Sequence, residues 1–249
     1  ALHAGIKGLE LAAVSSGGRE KAEAKLAEAG IQAPVLENGE LAAAAEVIVE
    51  CAPAAAFQDI ARPALEAGRL LVTVSGAALL DAPELVEIAD QNGGKIILAT
   101  GALLGLDAVR AAAEGEIREV RMVTRKPPRS LQGAPYLAEH GIDVMALTEP
   151  LMVFEGSARE AARGFPANLN VAAALSLAGT GPDDTRIEIW ADPAIERNTH
   201  TIHVDADTAH FSMTIENVPS EENPGTGRIT PLSVIATLRG LAEPLRVGT

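Results

Sequence analysis

The side chains that could do chemistry gather in one stretch of this 249-residue chain, Arg186 to Val218. It reads RIEIWADPAIERNTHTIHVDADTAHFSMTIENV, and three runs in it alternate apolar and polar residues with the period of half-buried strands. Ile187, Ile189 and Ala191 share a face of the first run, and Ala209, Phe211, Met213 and Ile215 share a face of the third. The middle run, Thr199 to Asp205, sets His200 on the side of Ile202 and Val204, with Thr201, His203 and Asp205 opposite. An imidazole changes charge near neutral pH. On an apolar face it is either a satisfied core residue or a group presented to a cleft. Asp192-Pro193 and Asn198 flank the strand entrance, so His200 lies beside a loop, which favours the cleft. His203 points away from His200, a poor arrangement for a metal ion, and no metal site is expected. His210 falls on the polar face and reads as a surface residue.

These strands need a fold to hold them, and composition bounds it. The chain is long enough for one large domain or two modest ones. A net charge of −14 argues against nucleic acid, whose phosphates need a basic stripe. No apolar run reaches bilayer-spanning length, and no signal peptide is read. Hydrophobic residues make up 47% and aromatics only 2%, so helices must pack on small side chains. Cys51 is the single cysteine, which fits a reducing cytoplasm; it reads as a small buried hydrophobe at a strand end.

Residues 1 to about 110 alternate short apolar runs with helical patterns. Leu9–Val14, Ala33–Leu36, Glu46–Glu50, Arg69–Val74 and Lys95–Ala99 read as strands. Helices follow over Arg19–Ala29, briefly after Leu36, from Pro53 to Ala67, and after Asp81-Ala-Pro-Glu, where Asp81 is the expected cap. Such alternation means a parallel sheet with helices on both faces, whose ligands sit at the carboxyl ends of the strands. Those ends carry Ser15-Ser16-Gly17-Gly18, Cys51-Ala52-Pro53, Ser75-Gly76-Ala77 and Thr100-Gly101-Ala102. All are small enough to let a flat ligand approach the backbone, or simply to turn tightly. A dinucleotide-binding sheet also needs a first strand followed by G-x-G-x-x-G. Neither occurs here, and ALHAGIKG reads as the tail of the helix that would follow them. The expectation is a Rossmann-like sheet whose first strand and Gly-rich loop are missing from this chain. Ser15, Ser16 and Arg19 stand where an NAD-selective site usually places a carboxylate. Hydroxyls and a guanidinium suit a 2′-phosphate, so NADP is expected to be accepted, with NAD as a second coenzyme, unless Arg19 is a solvated helix charge.

After a helix from Leu106 to about Glu114 the pattern changes. Glu116–Thr124 alternates as a strand of an antiparallel or mixed sheet. Lys126-Pro127-Pro128-Arg129-Ser130 sets two cations around a fixed backbone, either to hold an acidic substrate or as a plain surface loop. Residues 131–149 are turn-rich, with His140 facing solvent. Leu151–Glu155 is a strand, Ser157 opens a helix with capping-box spacing, and Asn168-Leu169-Asn170 opens an Ala/Leu helix to Ala178. The three alternating runs then read as a meander, and a helix from Pro231 to about Ala242 closes the chain.

Several segments together carry a family resemblance. ATGALLGLDA (99–108), TRKPPRSL (124–131), VFEGSAREAARGFPANLNVA (153–172), ADPAIERNTHTI (191–202) and IENVPSEENPGTGRITPLSVIATLR (215–239) resemble L-aspartate dehydrogenase, in order along essentially the whole chain. The resemblance implies an α/β protein with a Rossmann-like parallel-sheet domain, residues 1–107, onto which the closing helix 231–249 would pack back. An α+β domain with a mixed or antiparallel sheet, 108–230, would carry catalysis and homodimer contacts. It implies oxidation of L-aspartate to iminoaspartate with NAD or NADP, then oxaloacetate and ammonia, or a supply to NAD biosynthesis. The family's active-site histidine falls on His200, and its nicotinamide contacts fall on Ala102 and Asn170. The departure is the missing glycine fingerprint, which bears on cofactor affinity. Ser15, Arg19, Cys51, Ala52, Ser75, Gly76 and Gly101 complete the candidate cofactor set; Asn198 and Lys126 are the candidates for the substrate. Hydride loss from an amine carbon requires a neutral amine, so a base must first deprotonate the ammonium, and an imidazole titrating near neutrality suits that work. The alternatives are a dihydrodipicolinate-reductase-like or homoserine-dehydrogenase-like enzyme on the same architecture, or a non-catalytic dimeric remnant without a nucleotide loop.

Overall fold

The computed structural model describes residues 2–166, 169–221 and 226–248. The chain forms two compact units, Ala1–Ala99 with Val234–Arg246, and Thr100–Ser233 with Val247–Thr249.

In the first unit, β1 (Val47–Glu50), β2 (Leu70–Thr73) and β3 (Lys95–Leu98) form a parallel sheet in that order. These short Val/Ile/Leu runs suit a sheet covered on both faces. Consecutive residues of β2 show it: Leu71 packs into one apolar cluster and Val72 into another. The first cluster is supplied by α4 (Phe57–Glu66), whose Phe57, Ile60, Ala61, Ala64 and Leu65 fall at helical spacing, and by Leu85 and Ala89 of α6 (Glu84–Asn92). Leu65, Leu71 and Leu85 are wholly buried, a gain of roughly 1.5–3 kcal/mol each. The second cluster joins Val72 and Ala99 to Val234 and Leu238 of α11 (Ile229–Ala242).

Two expected strands do not form. Leu9–Val14 and Ala33–Leu36 meet in one parallel bridge, Val14 with Val35. Val14 donates to Pro34 O at 2.9 Å and accepts from Leu36 N at 2.9 Å; Pro34 has no N–H with which to extend the ladder. Of the helices before β1, α1 (Leu2–Gly5), α2 (Arg19–Glu28) and α3 (Leu41–Ala44), α2 stands as expected. Asp81 does not cap α6, which starts from Pro83 without a side-chain cap, and α5 (Gly76–Leu80) precedes it unanticipated.

The second unit is built on a five-stranded mixed sheet in the order β5 (Leu151–Ser157), β6 (Thr185–Ala191), β4 (Ile117–Lys126), β7 (Thr199–Ala206), β8 (His210–Glu216). Strands β4 and β6 run parallel and the other neighbours antiparallel. The last three strands are therefore no meander, because β4 lies between β6 and β7. Strand β4 suits that central place, with Val120 and Met122 fully buried. One face of the sheet carries Met122, Ile187, Ile189, Ile202 and Val204, all buried. The other is polar, with Arg121 bonded to Glu188 at 2.8 Å and Arg125 stacked over Trp190 at 4.7 Å. The helices of this unit are α7 (Leu106–Ala112), α8 (Pro135–Glu139), α9 (Ala158–Gly164) and α10 (Asn170–Ala178). Helix α10, buried from Val171 to Ser176, packs on α7, α9 and β6. The Ser157–Glu160 capping box opens α9 as its spacing predicts. His140 is exposed, yet stacks on Tyr136 with ring centroids 3.9 Å apart.

Candidate active site

The centre of the second unit's sheet brings three polar side chains onto its apolar face. Pairing of β4 with β7 sets His200 opposite Thr124, and the Nδ1 atom of the ring lies 3.0 Å from Thr124 Oγ1. Two residues further along β4, hence on the same face, is Lys126. His200 is 3% exposed and Lys126 5%. Burial, and then the Lys126 charge, drive the imidazole pKa down to about 3. Burial takes Lys126 down to about 8. This corrects two expectations. The imidazole does not titrate near neutrality but is held neutral, and Lys126 is the end of a core strand rather than part of an exposed loop. Nε2 makes no hydrogen bond to a described residue. Among the described residues, the sealed polar side-chain atom without a partner is Asn217 Oδ1.

The segment before β7 is fixed as the Asp-Pro turn suggests. Asp192 is 5% exposed. Its carboxylate accepts from Ala194 N at 3.0 Å and from Arg125 at 3.2 Å, while its own amide donates to Lys126 O at 2.9 Å. Asn198, half-buried, accepts from Asn217 N at 2.8 Å. The Asn217 side chain in turn donates Nδ2–H to Ala102 O at 3.0 Å, and Gly101 N donates to Ser233 Oγ at 3.1 Å. One asparagine thus ties the Thr-Gly-Ala turn to the entrance of the histidine strand. Asn170 is the exposed first residue of α10; Asn168 lies outside the described residues.

In the first unit, Ser15 donates its hydroxyl to Asn38 Oδ1 at 2.6 Å. Arg19 starts α2 and stands 4.0 Å from Glu37, with both side chains more than half exposed. At the ends of β1 and β2, Ala52 is half-buried, and Ser75 and Gly76 are buried at the start of α5. Cys51 is exposed, not the buried hydrophobe its sequence context suggests. Crowding of its thiol, and then the Glu50 charge, raise its pKa, which makes it a poor nucleophile. Glu50 is wholly buried: Ala52 N donates to Oε1 at 2.7 Å and Thr73 Oγ1 to Oε2 at 2.5 Å. An anionic dinucleotide fits the ends of β1 and β2, because their residues are small and the Glu50 carboxylate there is turned inward and hydrogen-bonded.

Thr124, Asp192, Asn217 and Glu50 are the site neighbours that residue types alone did not single out. Thr124 was within reach, since it continues the buried alternation of Val120 and Met122. Asn217 and Glu50 depend on contacts between distant segments and carry no local signal.

Known proteins resemble this chain over both units. The family model "Aspartate dehydrogenase, C-terminal" matches residues 107–241, and "Homoserine dehydrogenase, NAD binding domain" matches residues 2–99. L-aspartate dehydrogenase 3 of Bordetella bronchiseptica is 54% identical over 98% of this chain and 89% of its own. L-aspartate dehydrogenase of Bradyrhizobium diazoefficiens is 55% identical over 98% and 86%. The crystal structure of aspartate dehydrogenase from Thermotoga maritima superposes with a TM-score of 0.72 at 25% identity, covering 96% of this chain and all of that one. The matched NAD-binding domain identifies the cofactor as NAD or NADP. With both halves matched and relatives of this identity over nearly its whole length, the chain belongs to the aspartate dehydrogenase family of oxidoreductases.

Proposed function

We propose that this protein oxidises L-aspartate to iminoaspartate, which hydrolyses to oxaloacetate and ammonia or feeds NAD biosynthesis. The observation that carries the reading is a neutral His200 beside a buried cation, in a chain 54–55% identical to L-aspartate dehydrogenases. When bound, NAD or NADP accepts hydride from the substrate's α-carbon. The protein's part is to hold the dicarboxylate and take a proton. Lys126, with Asn198 at the loop, offers charge and N–H donors to a carboxylate. His200 acts as base through Nε2: with Nδ1–H donating to Thr124 Oγ1, Nε2 is left unprotonated, and a ring whose pKa is held at about 3 by burial gains the basicity to take the ammonium proton from the negative charge of the bound dicarboxylate. Ala102, Gly101 and Asn170 are the proposed nicotinamide-side contacts; Ser15, Arg19, Cys51, Ala52, Ser75 and Gly76 are the proposed contacts of the first unit.

Oxidation of aspartate, homoserine and malate measured side by side tests this. Aspartate is expected to dominate, and equal rates with all three would count against the reading. We also place the protein in the cytoplasm as a homodimer. The lone cysteine supports the compartment, and among the described residues no helix is long and apolar enough to cross a membrane.

Coenzyme choice has its own test. Arg19→Ala is expected to weaken NADP more than NAD in fluorescence titrations, because only NADP offers a phosphate to the guanidinium. The Glu37 carboxylate beside Arg19 makes the expected difference modest, within about tenfold for an exposed pair. Equal weakening of both coenzymes would remove Arg19 from the 2′ position.

A further inference from the structure

The buried carboxylate at the end of β1 has no part in the proton chemistry, yet it occupies an expensive position. A carboxyl group withdrawn from water is tolerated only when its oxygens are well satisfied. A hydrophobic pair at Glu50 and Thr73 would hold the sheet as well. What the polar pair alone achieves is control of the two turns that follow β1 and β2. Glu50 and Thr73 are partners in the parallel register, so they meet at the same level of the sheet. Glu50 Oε1 pulls in the amide of Ala52, two residues beyond, at 2.7 Å. Oε2 takes the Thr73 hydroxyl at 2.5 Å. Thr73 Oγ1 then accepts the amide of Ser75, again two residues beyond, at 2.9 Å. Two strand residues and two turn residues become one continuous chain of hydrogen bonds, with Glu50 and Thr73 both inaccessible to solvent. The amides of Ala52 and Ser75 are thereby directed into the protein, and the small residues beside them are held in one conformation.

We propose that Glu50 and Thr73 are positioning residues for the dinucleotide cofactor, fixing the turns at Ala52 and Ser75 before it arrives. The inference rests on the reading of those two turns as cofactor contacts. Its basis is preorganisation: a loop already ordered in its bound shape does not lose that freedom on binding. Neither side chain touches the cofactor, and neither takes part in hydride or proton transfer.

The test compares Thr73→Val, which keeps shape and removes the hydroxyl, with Thr73→Ser, which keeps the hydroxyl; Glu50→Gln is a second break that retains one acceptor. The Kd for NADH or NADPH is read from nicotinamide fluorescence, beside the melting temperature and the KM for L-aspartate at saturating coenzyme. Thr73→Val and Glu50→Gln are expected to raise Kd on the order of tenfold, as loss of hydrogen bonds to a buried charged group would. Thr73→Ser is expected to bind as the parent does, and the aspartate KM to stay unchanged in all three. A lower melting temperature with unaltered Kd in both breaking variants would overturn the proposal, leaving a purely structural bond chain. Ala52→Leu, which crowds the turn itself, separates the two readings. If it weakens binding while the breaking variants do not, the positioning role alone is wrong; if it too binds normally, the assignment of the turns is wrong.

Discussion

Replacing His200 by alanine is expected to lower turnover of L-aspartate by roughly 10²–10⁴-fold, the usual contribution of a positioned general base. The loss should fall on kcat, because the ring is proposed to act in proton removal rather than in holding carboxylates. The same residue leaves a second trace, in stability against pH. An unfolded chain protonates this histidine at about 6.5, whereas the folded one resists until about 3. Between those values the unfolded state binds the additional proton, so stability that is complete above pH 6.5 drains away as pH falls toward 3. Over the full interval the effect amounts to about 5 kcal/mol. His200→Ala should therefore unfold less steeply with acid than the parent, read from denaturant midpoints across that range. Parental turnover in this variant would remove His200 from the mechanism, and parallel acid profiles would mean that the ring is not held neutral.

The second large effect is expected at Lys126. Its ammonium is buried and its pKa is brought from 10.5 to about 8, so at neutral pH the fold carries a charge it would be more stable without. The unfolded state holds that proton up to 10.5, the folded state only to about 8. Stability is thus highest above 10.5 and is lost as pH falls to 8, with the loss complete below that. Lys126→Met keeps the length and removes the charge, and is expected to stabilise the protein at pH 7 by about 3 kcal/mol. The KM for L-aspartate should rise by roughly 10- to 100-fold, since a charged hydrogen bond to a carboxylate is lost. A more stable protein with weaker substrate binding is the pattern of a residue retained for function. Unchanged KM in that variant would leave Lys126 without a role toward substrate.

Much of this was legible in the chain. The alternation of 199–205 gave the face of His200 because a strand's side-chain period leaves no freedom once one face is apolar. The Asp-Pro turn, the Ser157 capping box and the strand–helix alternation from β1 to β3 are local signals, and the structure has all three. What escaped was non-local. Nothing in 186–216 reveals that β4 inserts between β6 and β7, because that depends on how Val120 and Met122, some seventy residues away, find burial. The depressed pKa of His200 escaped for the same reason: it arises from burial by distant segments, and then from Lys126, on another strand. At 9–14 the apolar pattern was real, but the proline at 34 stopped the neighbouring segment from extending the ladder.

The placement of β4 also separates two things that enzymes often entangle. Thr124, Lys126 and His200 stand on neighbouring central strands, so their mutual spacing is inherited from the pitch of the backbone ladder, about 4.8 Å between strands. The connecting segments 127–150 and 193–198 lie outside that ladder. Sequence drift in those connections can reshape what the protein admits while the spacing proposed for the chemistry stays as it is.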